Sequence, residues 1–430
     1  MSVRGLLGIG CAALVGCSSL IALDNYRPCT AAAECANAND AGDSSTQPDT
    51  SSTACASSDD CALPNPVCSA NVCVGVSSLV SGTAATACVL LKDGTLWCWG
   101  SNDSGQLGRG TKGGNDYRPA PVSVIPSNLR VVGASLGLHF GCALTNTKHV
   151  YCWGTVAAGG GKISATSAGL QDDTIELSAN GTGACARQQD GVYCWGENTS
   201  GDLGCDADAG LVPIDIGSPR LLYVSKQVAH VAVGLYATCL LLNDDNIRCY
   251  GSNEFGGLGD GNPVAKECNT SVTRGSPSNH QTSLVMADFA SCVQDENLRF
   301  FCWGANRAQS GLLWPTDPGQ LWATPQELPI ATYSSAVAIG WRHSCALTQK
   351  GEVTCWGQSD HAQTGILSST PVGARAIAGL STVVQIAAYR HFSCALQKDG
   401  QVMCWGSNET GAVGPGAPKN DSATPIAVSW

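Results

Sequence analysis

Short apolar runs alternate with polar turns along most of this chain, in a figure that keeps returning. One copy reads Cys345-Ala-Leu-Thr-Gln-Lys-Gly-Glu-Val-Thr-Cys355, apolar and β-branched residues flanking a polar turn that ends in glycine. That pattern predicts a β-hairpin. A three-residue loop, Gln349-Lys350-Gly351, places Gly351 at the left-handed position of a type I turn with a bulge. Thr348 then faces Glu352 and Cys345 faces Cys355 at a non-hydrogen-bonded position. Opposing Cα atoms there lie roughly 4.5 Å apart, within reach of a disulfide.

The figure occurs seven times. Its cysteine pairs are Cys88 with Cys98, Cys142 with Cys152, Cys185 with Cys194, Cys239 with Cys249, Cys292 with Cys302, Cys345 with Cys355 and Cys394 with Cys404. Successive first cysteines are 43 to 54 residues apart, a period that signals a repeat architecture. Seven all-β units in one chain predict a closed ring of blades. The same turn count holds for Lys92-Asp93-Gly94 and Lys398-Asp399-Gly400. Copies two, four and five keep the spacing without the glycine, and the third copy is one residue short, leaving its pairing less determined. Seven cross-strand disulfides are expected, with buried free thiols as the alternative. A Trp follows each second cysteine (Tyr250 in the fourth copy) and points to the opposite strand face, where it is expected to pack on a neighbouring blade.

The wording of the repeat resembles the regulator of chromosome condensation family. Its motif Gly-x-x-His-Ser-x-Ala-Leu appears as Gly340-Trp341-Arg342-His343-Ser344-Cys345-Ala346-Leu347. The continuation Trp-Gly-x-Asn-x-x-Gly-Gln-Leu-Gly appears as Trp99 to Gly108, with further copies at Trp195 to Gly204 and Tyr250 to Gly259. Copies two, five and six have lost much of that loop. The resemblance covers residues 76–430 and implies an all-β, seven-bladed β-propeller. Segments such as Arg118-Pro119-Ala120-Pro121-Val122 resemble a Thr-Pro strand between repeats, and the chain ends on one, Ala423 to Val428. That last segment is expected to join the strand near Gly75–Ser81 and so close the ring.

Residues 1–16 carry Arg4 and an apolar run from Leu6 to Val15, too short to cross a bilayer and shaped like a signal peptide. Leu14-Val15-Gly16-Cys17 resembles the lipobox of bacterial lipoproteins, which implies acylation of Cys17 and a lipid-anchored mature chain. Ser18 implies, by that family's sorting rule, the outer membrane, on its periplasmic or surface face. An ordinary secretory signal is the alternative. Of 24 cysteines, Cys11 goes with the signal and Cys17 with lipid. Cys55, Cys61, Cys68 and Cys73 form a compact module over residues 55–75, its pairing open and a zinc site its rival reading. Cys29 and Cys35 resemble half of it, and Cys205 and Cys268 are a candidate bridge between blades. Such density requires an oxidising compartment. Between the clusters lie Ala, Ser, Thr, Asp and Asn with little to bury, so residues 17–54 read as a flexible spacer.

Only 13% of residues are charged and the formal net charge is −11. With no basic run, nucleic acid and anionic headgroups are poor partners. The resemblance's founding role, nucleotide exchange at chromatin, conflicts with export and disulfides. No Gly-x-Ser-x-Gly elbow, phosphate loop or His-Glu-x-x-His helix is present, and His139, His343 and His391 fit the repeat's own loop. Asp206 and Asp208 read as a solvated turn with calcium as the alternative. The chain is thus expected to be non-catalytic, to need no cofactor or metal, and to be monomeric.

Binding is better supported. The loop before the first cysteine of each pair sits at one end of every blade, so all seven share one propeller face. Its candidate residues are His139, Phe140, Tyr236, Phe289, Trp341, Arg342, Tyr389 and Arg390. Trp, Tyr and Arg are enriched at interface hot spots, and blades six and seven bring Trp341, Arg342, Tyr389 and Arg390 into one patch. The bland alternative is that these rings plug the channel or pack between blades. Insertions at Gly159–Leu170, Asp206–Leu211, Asn262–Asn279 and Trp314–Trp322 also decorate the ring. A protein partner is expected on this face, with a glycan-binding lectin and a structural envelope protein as alternatives.

Overall fold

The computed structural model describes residues 54–430 apart from 59–60, 64, 83, 156–161, 168–169, 171, 207–209, 212–218, 264–268, 276–279, 307–320, 329–332 and 418. The expectations for the signal, Cys17, Cys29 with Cys35, Asp208, and the pairing of Cys205 with Cys268 lie outside the described residues. Every named element is a strand, and seven four-stranded antiparallel sheets form a seven-bladed β-propeller. Each blade is written by consecutive strands. Blade one is Val76–Val80, Thr86–Leu91, Leu96–Ser101 and Asn115–Pro121, from the axis outwards.

Ring closure differs from the expectation. Ser422–Ala427 is the outer strand of blade seven and pairs with Val402–Gly406, while Val76–Val80 pairs within blade one. No blade is shared between the two ends of the chain. The reason is register: the Thr-Pro segment is the fourth strand of its own repeat, so the final copy completes the final blade. Side chains close the seam instead. Trp99 Nε1 donates to Ala412 O at 2.9 Å, Tyr389 Oη to Val80 O at 2.7 Å, and the Gln385 amide brackets Leu79 N and O at 2.8 and 3.1 Å. Trp430 packs edge-on against Trp97 and Trp99.

All seven hairpin disulfides form, each between directly opposed residues of the second and third strands of a blade. Cys88 is bonded to Cys98, Cys142 to Cys152, Cys239 to Cys249 and Cys292 to Cys302, each with Cα atoms 4.1 Å apart. Cys345 to Cys355 and Cys394 to Cys404 repeat that 4.1 Å separation. These cysteines are buried, and the free-thiol alternative falls. The pairing left less determined, Cys185 with Cys194, forms as well, at 4.0 Å.

The short third copy keeps its register because the residue is lost from the turn. Gln188 N bonds Gly191 O, leaving a two-residue loop, whereas Thr348 N bonds Glu352 O around three. In copies without the glycine, Lys148, Asp245 and Leu298 take the left-handed position at φ 64°, 67° and 61°. Cysteine and tryptophan do face opposite ways. The Cys345–Cys355 face packs on Trp405 of the next blade, and the Cys394–Cys404 face packs on Trp99 across the seam.

In blades one, four, six and seven the loop after the Trp-Gly or Tyr-Gly receives the next blade's indole. In blades one, three, four and seven an asparagine holds this loop open: the Oδ1 atoms of Asn102, Asn198, Asn253 and Asn408 accept the amides of Leu107, Leu203, Leu258 and Val413 at 2.9 to 3.1 Å. The carbonyls of Gln106, Gly257 and Gln363 then accept Nε1 of Trp153, Trp303 and Trp405 at 2.8 to 2.9 Å. The small module pairs Cys55 with Cys68 and Cys61 with Cys73, which decides for disulfides over zinc there. It rests on the blade-one hairpin turn, where Ser69 Oγ donates to Asp93 Oδ2 at 2.6 Å, and Val67 is buried in the blade one–seven core. Parts of the expected insertions are outer strands, Lys162–Ser167 and Asn269–Arg274, and Cys205–Asp206 pairs with Gly210–Leu211 as a small ribbon.

Candidate functional site

The end of the ring opposite that module carries the loops joining the first and second strands. One recurring device fixes them. After the Trp that follows a blade's second cysteine, and after Tyr250 in blade four, comes a glycine with φ between 89° and 124°, where a side chain is strained. At Gly251 an added Cβ would also lie 2.3 Å from Tyr236 O. The following amide bonds the loop carbonyl: Ser252 N to Tyr236 O, Ala305 N to Phe289 O, Gln358 N to Arg342 O and Ser407 N to His391 O, at 2.8 to 2.9 Å. Rigid third strands thus hold the short loops in place.

In blades two to seven each loop is a two-residue turn. Gly340 N bonds His343 O, Tyr389 N bonds Phe392 O and Gly137 N bonds Phe140 O, so the outward pairs are Trp341-Arg342, Arg390-His391 and Leu138-His139. Two of the expected face residues are therefore inside. Phe140 and Tyr389 are fully buried, each one position beyond the turn, on the strand. Tyr389 stacks on Phe392 at 4.4 Å, and burial pushes its phenol well above the ordinary range. It is a seam residue. For these two rings the inter-blade packing alternative holds.

The other six candidates reach the face. Trp341 is half-buried, with the Arg342 guanidinium 4.4 Å and the Arg390 guanidinium 5.1 Å from its ring centroid. Arg342 is exposed and steadied by Gln358 Oε1 at 3.2 Å. His391, which the pattern reading did not place in the patch, meets Trp341 edge-on at 5.0 Å and His361 at 4.6 Å. Burial, then the neighbouring His361 and the guanidiniums of Arg390 and Arg342, lowers His391 to about 4, so it is neutral at physiological pH. Exposed His139 is lowered too, by partial desolvation and then by the charge of Arg390.

A second cluster sits at blades four and five. Tyr236, Phe289 and Phe255 stand 5.2 to 5.6 Å apart, all half-buried, around a shallow hollow with Ser252 and Met286. Phe255 comes from the loop after Tyr250 and was also missed. Between the clusters the ends of the first strands leave a narrow channel mouth lined by Ser81, Ser135, Asn180, Val233, Met286 and Ala388.

Near this face His343 has a serine partner, Ser393 Oγ at 2.8 Å from Nε2. Both are buried and burial lowers His343 to about 3. With no solvent path to Ser393, this is a hydrogen bond joining blades six and seven rather than a nucleophile and its base.

Comparison with known proteins agrees with the geometry. Sequence profiles described as "Regulator of chromosome condensation (RCC1) repeat" match residues 93–144, and residues 76–106, 228–256, 335–363 and 383–412. The E3 ubiquitin-protein ligase HERC2 of Homo sapiens is 34% identical over 167 residues, 36% of this chain. The chain spans only 3% of the length of that relative. The ultraviolet-B receptor UVR8 of Arabidopsis thaliana is 25% identical over 340 residues, 73% of each chain. Among solved structures, human WBSCR16 superposes with a TM-score of 0.66 at 17% identity, covering 78% of this chain and 95% of that one. That likeness concerns the fold.

Proposed function

We propose, from a propeller built of RCC1 repeats, that this chain is a non-catalytic recognition protein. It would be lipid-anchored in the cell envelope through Cys17 and would dock a protein partner on the Trp341 face. The observation that carries the reading is the indole of Trp341 beside two guanidiniums, Arg342 and Arg390, on rigid two-residue turns. Trp and Arg held rigidly lose little entropy on binding and dominate interface energetics. Guanidiniums displayed on an indole suit a carboxylate or aromatic side chain of a partner protein.

The same stack counts against a lectin. Both guanidiniums lie over the Trp341 ring, the surface on which a sugar would have to stack. The orientation also fits the proposal. The disulfide module sits on the opposite end of blade one, where Lys92 N bonds Gly75 O and Ser69 bonds Asp93. A tether leaving from there would point the Trp341 face away from the membrane.

The test is a cross-linking pull-down from envelope extract with the parent chain and a variant carrying W341A, R342A and R390A. A single partner captured by the parent, and lost by the folded variant, is the expected result. Equal capture by both would move the site to the Tyr236 cluster or the insertions. Release of the captured partner by free sugar would overturn the protein-docking reading in favour of a glycan.

A further inference from the structure

We propose that Asp360, His361 and His391 form a binding site for a divalent transition-metal ion of the zinc class. Each offers one ligand atom, and those atoms lie within 4.8 Å of one another. They come from two blades: Asp360 and His361 from the loop after the third strand of blade six, His391 from the outward turn of blade seven. Asp360 is exposed and the two imidazoles are half-buried, so an ion has a path in.

What separates this group from a chance surface cluster is the set of groups behind it. Asp360 is oriented on both oxygens, by Gln358 Nε2 at 2.6 Å and Gln363 Nε2 at 3.2 Å. His361 Nδ1 faces Asp421 Oδ2 at 3.1 Å. A carboxylate on Nδ1 fixes that nitrogen as the protonated one and leaves Nε2 to donate its lone pair, the arrangement that commonly supports a metal-bound histidine. His391 is held edge-on by Trp341, and its Nδ1 is buried with no hydrogen-bond partner among the described residues. A shielded ring nitrogen without a partner is costly, and the cost is recovered when the ring coordinates.

Charge does not forbid the ion. Arg342 and Arg390 stand on the Trp341 side, and the carboxylates of Asp360 and Asp421 offset them. Two imidazoles and one carboxylate match zinc, which accepts mixed nitrogen and oxygen ligands and leaves a fourth position open. Calcium and magnesium prefer oxygen alone. Copper would compete by its general affinity order. The site stands whether or not a protein docks on this face.

The experiment is equilibrium dialysis of the full, unreduced chain against Zn2+ alone, with Ca2+ in a parallel arm. The expected result is one Zn2+ held at this site. H361A with H391A should weaken it at least tenfold, and D421N, which leaves all three ligands, should weaken it about tenfold through the tautomer. Circular dichroism confirms that each variant is folded, and should the double variant fail that check, D421N alone decides. Zn2+ binding that survives unchanged in the folded variants, absence of Zn2+ binding, or Ca2+ bound equally well would each overturn the proposal.

Discussion

The joint between blades six and seven and the joint between blades three and four follow one plan with different side chains. At the first, Trp405 Nε1 donates to Gln363 O, and His343 Nε2 pairs with Ser393 in a buried, neutral contact. At the second, Tyr250 stands where the tryptophan is, and Asp202 stands where Gln363 is. Asp202 is buried, its Cα lying 3.1 Å from where a Cβ on Gly251 would sit. Burial, reinforced by Glu197, raises its carboxyl to about 7. The backbone joint survives these exchanges because the Trp-Gly turn and a side-chain oxygen holding the loop set its geometry in both: Asn198 Oδ1 accepts Leu203 N at 2.9 Å in blade three, and Ser359 Oγ accepts Thr364 N at 3.3 Å in blade six. The lesson is that the repeat keeps a socket, while the side chains in the socket decide how the joint answers to pH.

The largest effect expected is at the plug itself. W405A empties a fully buried indole site and should cost about 3–5 kcal/mol. Y250A, whose ring is only half-buried, should cost less. Denaturant unfolding of the two variants at one pH checks the order. A larger loss for Y250A would break the idea that the two joints share one plan.

Next is Asp202. A carboxyl whose folded pKa is raised above its unfolded value favours the folded state fully only below the unfolded value. Its stability contribution is lost as pH rises towards about 7, where the buried group must ionise. D202N removes that penalty. At pH 8 it should stabilise the protein by roughly 3 kcal/mol, and below pH 4 it should change little. Urea midpoints of parent and variant at the two pH values measure it, and equal gains at both would show that packing, rather than ionisation, is responsible.

Much of this was legible beforehand, and the errors have physical causes. The seven hairpins, their disulfides and the inter-blade tryptophans follow from local spacing, which is why they could be counted out from single turns. The pairing of Cys185 with Cys194 was the hardest of these to count, because a turn shortened by one residue changes the loop type rather than the register. Ring closure could not be counted at all, because whether Ser422–Ala427 pairs with its own blade or with the first is a long-range choice between two similar edges. The face residues were misjudged by one position in two copies. Counting back from each first cysteine puts the outward pair at the fourth and third residues before it, which gives Trp341-Arg342 and Arg390-His391 alike and excludes Tyr389 and Phe140. Asp360 and His361 are brought to His391 across a blade boundary, and no spacing along the chain announces that. Phe255 joins Tyr236 and Phe289 in the same way.

The smallest effect is the acid response of the six–seven joint, which runs opposite to that of Asp202. Burial depresses His343 to about 3, so the unfolded chain takes up a proton near pH 6.5 that the folded chain refuses. Stability from this residue is therefore complete above about pH 6.5 and declines as pH falls towards 3, by about 2 kcal/mol at pH 5. H343Q keeps a hydrogen-bonding side chain facing Ser393 but cannot titrate, so its unfolding free energy should fall less between pH 7 and pH 5 than the parent's. Measured against D202N, the pair should tilt the stability profile in opposite directions: one variant gains in base, the other flattens the acid limb. An acid limb unchanged in H343Q would assign the decline to carboxylates elsewhere and leave the two joints different in shape but alike in their response to pH.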